Sequence, residues 1–272
     1  MAFIEINNAN IHYLEAGSGS ETLLFSHGLL MSGDMFSAQV KAFSEHYRCI
    51  AYDHRGQGKS EVTKSGYDMD SLAEDAAELI RRLDAAPCHF VGLSMGGFVG
   101  MRLAIHHPKL LKSLVLLETS ADPEQEENLF SYRLLNFVGR WFGFRIVAGR
   151  VMEILFGKTF MSDPEREAER KLWRDRLVNN HRLGITRAAR AVIERDGVFE
   201  QLGRINTPTL IIVGEEDTAT DADKARRMHG AIENSQLVEI PSAGHSSAIE
   251  QPGAVNAAIA TFLEGKSPQG LQ

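Results

Sequence analysis

The chain has 272 residues, 43% hydrophobic and 24% charged, which is the composition of an ordinary globular protein rather than of a fibre or a disordered segment. A chain of this length buries roughly three-quarters of the surface its unfolded form exposes, so its fold requires no disulfide or structural metal. A net charge of −7 argues against a general nucleic-acid binder, which carries a basic surface, and no nucleic-acid partner is expected.

The first eight residues, Met-Ala-Phe-Ile-Glu-Ile-Asn-Asn, contain no basic patch followed by a long apolar stretch, so no signal peptide is predicted. No segment stays apolar for the roughly 18 residues of a membrane span, so a cytoplasmic protein with no membrane partner is expected. Residues 3–7 and 11–14 alternate apolar and polar around Asn8, Ala9 and Asn10, the pattern of a β-hairpin. An apolar run over 22–26 ends at His27-Gly28, a helical stretch follows near 35–43, and a second run over 49–52 ends at Asp53. Within 70–84, Leu72, Ala76, Leu79, Ile80 and Leu83 fall at helical spacing, with Asp70 as the expected N-cap. Further apolar runs occupy 89–93, ending at Ser94, then 114–117, 209–213 and 237–240. Continuous apolar runs separated by helices are strands of a parallel sheet covered on both faces. With the leading hairpin they predict an α/β fold, a mostly parallel sheet of about eight strands with helices on both faces.

The alternation breaks over 122–201, a helix-like stretch rich in Arg and Glu that is too long for a loop. It predicts a helical cap inserted into a core made of residues 1–121 and 202–266. The stretch carries Trp141, Trp173, Phe130, Phe137, Phe142, Phe144, Phe156 and Phe160. Any single aromatic at helical spacing is expected to be core, but a cap lying over the strand ends has an underside, and that underside is expected to line an apolar acyl pocket. The tail from Lys266 is expected to fray. Cys49 and Cys88 share no short spacing with each other or with a His cluster, so they are expected to be buried thiols rather than zinc ligands.

Gly92-Leu93-Ser94-Met95-Gly96-Gly97 sits between an apolar strand and the helix-like residues 95–107. A sharp strand-to-helix turn forces its central residue into a strained conformation, and a Cβ on either flank would collide with neighbouring backbone. Such a turn lifts the Ser94 hydroxyl above the sheet at a helix N-terminus, where unpaired N–H groups favour developing negative charge. A serine hydroxyl is a weak nucleophile unless a base takes its proton and an acid orients that base. In this strand order the partners follow as acid and then His, each just beyond a strand. Asp217, after the penultimate run, and His245, after the last, stand in those places. Glu215, Glu216, Asp221 and Asp223 crowd the same loop as Asp217, and Glu118 at the end of an earlier run is an alternative acid. Of the ten histidines, His12, His46, His89, His181 and His229 have no supporting motif. His106 and His107 suit a helix C-terminus, where positive charge is favoured. Two N–H groups are placed to form an oxyanion hole, that of Met95 at the helix start and that of Leu29 after the first parallel strand.

These blocks resemble those of the α/β-hydrolase superfamily over nearly the whole chain. The matching residues are Ser26-His27-Gly28, the block from Asp53 to Ser60, the Gly92–Gly97 turn, Gly214-Glu215-Glu216-Asp217 and Gly244-His245. The resemblance implies that Arg55 and the glycines of the Asp53 block are structural. Residues 67–119 and the ending His245-Ser-Ser-Ala-Ile-Glu-Gln-Pro252 are similar to the 3-oxoadipate enol-lactonase branch and its esterase relatives, and acyl-homoserine lactonases of this fold are similar too. Residues 122–201 match no substrate-binding residues of that branch. Leu30 stands where perhydrolase-like relatives carry proline. A serine at the turn differs from the aspartate of epoxide hydrolases and haloalkane dehalogenases.

The expectation is therefore a serine hydrolase that cleaves a small carboxylic ester by way of an acyl-enzyme. Ser94 is the expected nucleophile, His245 the base and Asp217 the acid, with Leu29 and Met95 as oxyanion donors and no metal or organic cofactor implied. Lactone hydrolysis is the alternative because it uses the same machinery. C–C bond hydrolysis and a slowly turning-over receptor are weaker readings.

Overall fold

The structure is a computed structural model that describes residues 2–265. The expected fraying from Lys266 lies outside the described residues. Eight strands form one sheet in the order β1-β2-β4-β3-β5-β6-β7-β8. They are β1 (Ala2–Ile6), β2 (Ala9–Ala16), β3 (Thr22–Ser26), β4 (Arg48–Tyr52), β5 (Cys88–Leu93), β6 (Leu111–Leu117), β7 (Thr209–Gly214) and β8 (Ser235–Ile240). β1 and β2 are antiparallel to each other and β2 is antiparallel to β4, while every other pairing is parallel. β3, β5 and β7 are buried along their whole length, which explains why each reads as an unbroken apolar run rather than an alternation. Two apolar clusters cover the two faces of the sheet.

The hairpin turn lies one residue earlier than expected. Asn7 and Asn8 take it with φ of 46° and 61°, so Ala9 already pairs with Ile6. Asparagine tolerates this left-handed region, which a two-residue turn between twisted strands requires. The helices on the core are α1 (Ser37–Phe43), α2 (Met69–Arg82) and α3 (Met95–His106). Asp68, not Asp70, caps α2 by accepting from the Ser71 N–H, while Asp70 sits in the first turn and pairs with Arg102 Nε at 2.8 Å. Two acidic residues so close together give the same local signal, and only the contact with α3 separates their roles.

Five helices lie between β6 and β7: α4 (Glu126–Phe142), α5 (Phe144–Leu155), α6 (Lys158–Ser162), α7 (Glu167–Val178) and α8 (Arg182–Ile193). α4 packs against α5 and α8. The chain ends with α9 (Ala222–Ala231), the short α10 (Ser247–Glu250) and α11 (Pro252–Leu263). Among the described residues no helix is long and apolar enough to cross a membrane. Cys49 and Cys88 are free and buried, and burial pushes both thiols up to about 12.

The block after β4 braces the C-terminal end of the sheet. Asp53 accepts from His12 Nδ1, the Gly33 N–H and the Lys59 N–H, each at 2.8 Å. Gly58 has a φ of 54°, and a Cβ there would come within 2.3 Å of the Asp53 carboxylate. Arg55 is buried and holds Asp75 with two hydrogen bonds, Nε to Oδ2 and Nη2 to Oδ1, both 2.8 Å. Removing one member leaves the other charge buried without its partner, so Asp75→Ala is expected to lower stability by about 3–5 kcal/mol. Urea unfolding measures this, and a loss below about 1 kcal/mol would contradict the assignment.

Candidate active site

Ser94 joins β5 to α3 with φ 53° and ψ −111°, a conformation that side chains other than glycine rarely adopt. The crowding around it explains the glycines. A Cβ on Gly92 would lie 2.3 Å from the Gly96 carbonyl oxygen, and one on Gly96 would lie 2.0 Å from the Ser26 carbonyl oxygen. A Cβ on Gly97 would lie 2.6 Å from the Thr119 side chain. The Ser94 N–H donates to the Leu117 carbonyl at 2.8 Å, and the Ser94 carbonyl accepts from the Gly97 N–H at 2.8 Å and the Thr119 hydroxyl at 2.9 Å. The surroundings thus over-determine the strained residue.

The fold brings Ser94, His245 and Asp217 into one hydrogen-bonded chain. Ser94 Oγ lies 2.8 Å from His245 Nε2, and His245 Nδ1 lies 2.9 Å from Asp217 Oδ2. The carboxylate only accepts, so Nδ1 carries the proton and Nε2 is left to accept from the serine hydroxyl. Asp217 also accepts from the Ala219 and Thr220 N–H groups at 2.8 and 3.0 Å and from the Thr220 hydroxyl at 2.8 Å. Burial pushes its carboxyl up, but His245 and the Thr220 bonds outweigh that and hold it below the usual carboxylate range.

The other acids of this region have separate duties. Glu215 is exposed. Glu216 binds the Thr159 N–H at 2.8 Å and its hydroxyl at 2.6 Å. Asp221 caps α9, and Asp223 pairs with Arg226. Glu118 is fully buried at the end of β6 with a φ of 41°. Among the described residues no donor meets its carboxyl at hydrogen-bond geometry, and Asp217 rather than Glu118 occupies His245 Nδ1. Burial, then the nearby Asp217 and Glu250 carboxylates, hold Glu118 well above the usual range against the opposing pull of the Ser247 hydroxyl and the Gly214 N–H.

His12, His89 and His229 serve other partners: Asp53, Glu21 with Ser113, and Ser235. His107 pairs with Glu74, and His181 caps α8.

Leu29 lines the same cavity as Ser94 and His245. A Cβ on the preceding Gly28 would lie 3.5 Å from Ser94 Cβ, so the end of β3 passes directly beside the serine. Met95 is the buried first residue of α3. Neither the Leu29 nor the Met95 N–H is taken by an acceptor among the described residues, whereas the Leu30 N–H donates to Gln57 Oε1 at 2.9 Å. Gln57 Nε2 also reaches Met95 Sδ at 3.6 Å, which ties the two donor segments together.

Three residues that shape the site were given no role by the sequence: Thr220, and Gln57 and Glu250, which lie inside matched blocks. Glu250 accepts from the Gly244 and Ser246 N–H groups, on either side of His245, both at 3.0 Å. Its other bond, from the Gly157 N–H at 2.8 Å, fastens the start of α6 to the same carboxylate. The sequence spacing of Glu250 from His245 was visible, but its buried, triply bonded state depends on a contact 93 residues away.

The cavity above Ser94 has a volume of about 160 Å³. Leu135, Val147, Val151, Leu155 and Ile185 form much of its wall, and a Glu124–Arg195 pair at 3.0 Å gives it one polar patch. Of the aromatics singled out in the 122–201 stretch, Phe144 lines this wall. Phe156 and Phe160 stack in the interior at 4.6 Å, Trp173 is buried elsewhere, and Phe130, Phe137, Trp141 and Phe142 face outward.

The raised Glu118 carboxyl has a consequence with a definite sign. The unfolded chain ionises it near 4.5 while the folded chain keeps the proton, so this group costs stability progressively as pH rises above that value. The melting temperature of Glu118→Gln, relative to the parent chain, is expected to climb between pH 5 and pH 8. A difference that stays flat across this window would show that Glu118 ionises normally.

A family model described as alpha/beta hydrolase fold matches residues 21–252. The chain is 31% identical over 242 residues to 3-oxoadipate enol-lactonase 2 of Acinetobacter baylyi, covering 89% of this chain and 88% of that protein. It is 28% identical over 233 residues to the putative carbamate hydrolase RutD of Serratia proteamaculans, covering 84% and 85%. Its structure superposes on a thermophilic esterase from Thermogutta terrifontis with a TM-score of 0.89 at 28% identity, covering 97% of this chain and 99% of the esterase.

Proposed function

The chain belongs to the alpha/beta hydrolase fold family and is a hydrolase, and we propose that it cleaves small carboxylic esters through a covalent acyl-enzyme on Ser94. The observation that carries this reading is the unbroken chain from Ser94 Oγ through His245 to Asp217, at 2.8 and 2.9 Å, opening onto an apolar cavity. We assign residues 122–201 the role of a cap inserted into the core, since α4, α5 and α8 supply about half of the residues of the cavity wall.

In this mechanism His245 Nε2 takes the hydroxyl proton as Ser94 Oγ bonds to the carbonyl carbon. Asp217 holds the imidazole in the productive tautomer and stabilises the imidazolium. The negative charge that develops on the carbonyl oxygen is received by the Leu29 and Met95 N–H groups, one such donor being worth roughly 3 kcal/mol. Collapse of the tetrahedral species breaks the ester bond, and His245 passes its proton to the departing alkoxide. A water molecule, activated by the same base, then attacks the acyl carbon, and the acid product leaves with Ser94 restored.

The cavity of about 160 Å³ is smaller than the roughly 300 Å³ at which pockets for drug-sized ligands begin, which favours short acyl groups. A lactone is the second reading, favoured by the enol-lactonase relative. Ring opening needs the same steps, with the alkoxide staying attached to the acyl group. Ser94→Ala and Asp217→Asn are each expected to lower kcat on a p-nitrophenyl short-chain ester by on the order of 10⁴-fold or more. Retention of full activity by Ser94→Ala would falsify the proposal. Values of kcat/KM for linear esters, enol-lactones, acyl-homoserine lactones and carbamates then rank the substrate classes.

A further inference from the structure

α4 has two apolar faces, and one of them is left exposed among the described residues. Its inner side presents Tyr132, Leu135 and Asn136 to the cavity. On the outer side Phe130, Leu134, Phe137 and Trp141 follow at steps of four, three and four residues, so they form one stripe. They are 78, 49, 55 and 65% exposed. Phe142 and Ile146 extend the stripe around the α4–α5 corner, at 62 and 67% exposure. Isolated exposed apolar residues are ordinary, whereas a contiguous patch of this kind marks a surface that something covers.

Charge identifies the occupant. α4, α5 and α8 together carry seven arginines against three glutamates, in a chain whose net charge is −7. Arg133 and Arg140, one heptad apart, flank the stripe and have no ion-pair partner among the described residues. Arg140 lies 5.7 Å from the centre of the Trp141 ring. A groove beside the stripe is lined by Arg133, Phe137, Arg140, Trp141 and Arg187, with Arg190 paired to Glu194 at 2.9 Å at its edge, so its arginines outnumber its one acid. It shares Asn136 and Ile193 with the cavity above Ser94.

We propose that this face is a peripheral docking surface for an anionic phospholipid bilayer. The aromatic rings enter the headgroup region, and the long arginine side chains lie along the apolar surface while their guanidinium groups meet lipid phosphates. The chain rests on the membrane without spanning it, so the expectation of no membrane partner, drawn from the lack of a span, does not extend to this contact. A second copy of the chain fits the face less well. Antiparallel pairing of two such stripes about a two-fold axis sets Phe130 opposite Trp141 of the second copy, but it also sets Arg133 beside Arg140. Like charges then face each other along the seam, and a lipid surface reverses that penalty.

The test is co-sedimentation of the full chain with vesicles of mixed phosphatidylglycerol and phosphatidylcholine, alongside vesicles of phosphatidylcholine alone. This readout needs no hydrolysis, so its outcome is independent of the activity proposed for Ser94. The expected result is several-fold more bound protein on the anionic vesicles, reduced by 0.5 M salt. Binding is expected to fall several-fold in Phe137→Ser/Trp141→Ser and in Arg133→Glu/Arg140→Glu, both checked for an unchanged melting temperature. Equal binding to the two vesicle types, binding that survives both double substitutions, or no binding overturns the proposal. So does a concentration-dependent dimer that Phe137→Ser/Trp141→Ser dissolves while vesicles remain unbound.

Discussion

The backbone of Ser94 is held where it would not rest by itself, and the site is arranged around that constraint. Three strands take part. β3 contributes the Ser26 carbonyl that leaves no room for a Cβ on Gly96, β6 contributes the Leu117 carbonyl that takes the Ser94 N–H, and β5 delivers the residue itself. The strain therefore rests on the most deeply buried part of the sheet, where parallel strands are fixed on both faces. It also sets the position of α3, whose Gly97 and Phe98 N–H groups return to the Ser94 carbonyl while the Met95 N–H has no acceptor among the described residues. β3 lies between β4 and β5, so its end and that of β5 flank the crevice where the strand order reverses. In open α/β sheets that is where ligands bind.

Around this fixed point, neighbouring carboxyl groups are driven to different states by their surroundings. Asp217 receives two N–H groups, a hydroxyl and an imidazole, and these favour its charged form. Glu118, at the end of the adjacent strand, receives no well-formed bond and is pushed toward the neutral form by burial. Two ionised carboxylates side by side in a dry interior would each raise the other, so a neutral Glu118 is compatible with a charged Asp217. Glu250 takes a third course. Burial holds its carboxyl above the usual range, against the three N–H groups that favour the charged form, and its oxygens clamp the peptides on both sides of His245. The orientation of the histidine thus depends on a carboxylate that never touches its ring.

The sequence made the sheet legible because buried parallel strands are nearly uninterrupted in apolar residues, and each such run ended within a few residues of the observed strand. The order of Ser94, Asp217 and His245 was legible for a related reason. Each lies just past a strand, and strands that run parallel bring their ends to one edge. What stayed hidden depended on contacts distant in sequence. Nothing local distinguishes Asp68 from Asp70 as a cap until Arg102 claims the latter. Thr220 reads as a loop hydroxyl and Gln57 as part of a structural block, although one holds Asp217 and the other joins the Leu30 and Met95 segments.

The cavity wall was hidden for a different reason. Leu135, Val147, Val151, Leu155 and Ile185 obey the same helical periodicity as core residues, because a wall and a core both exclude water from apolar side chains. The aromatic residues of the same segment drew attention by their size, yet size does not determine direction. On α4 alone, five residues separate Tyr132, which lines the cavity, from Phe137, which lies outside it. A helix with an apolar stripe on each side cannot be assigned an inside from its sequence. That ambiguity limits what the hydrogen-bonded serine can reveal about its substrate. On the proposed mechanism, esters, lactones and carbamates would all present a carbonyl carbon to the same hydroxyl, and the choice among them would fall to the aliphatic wall above it.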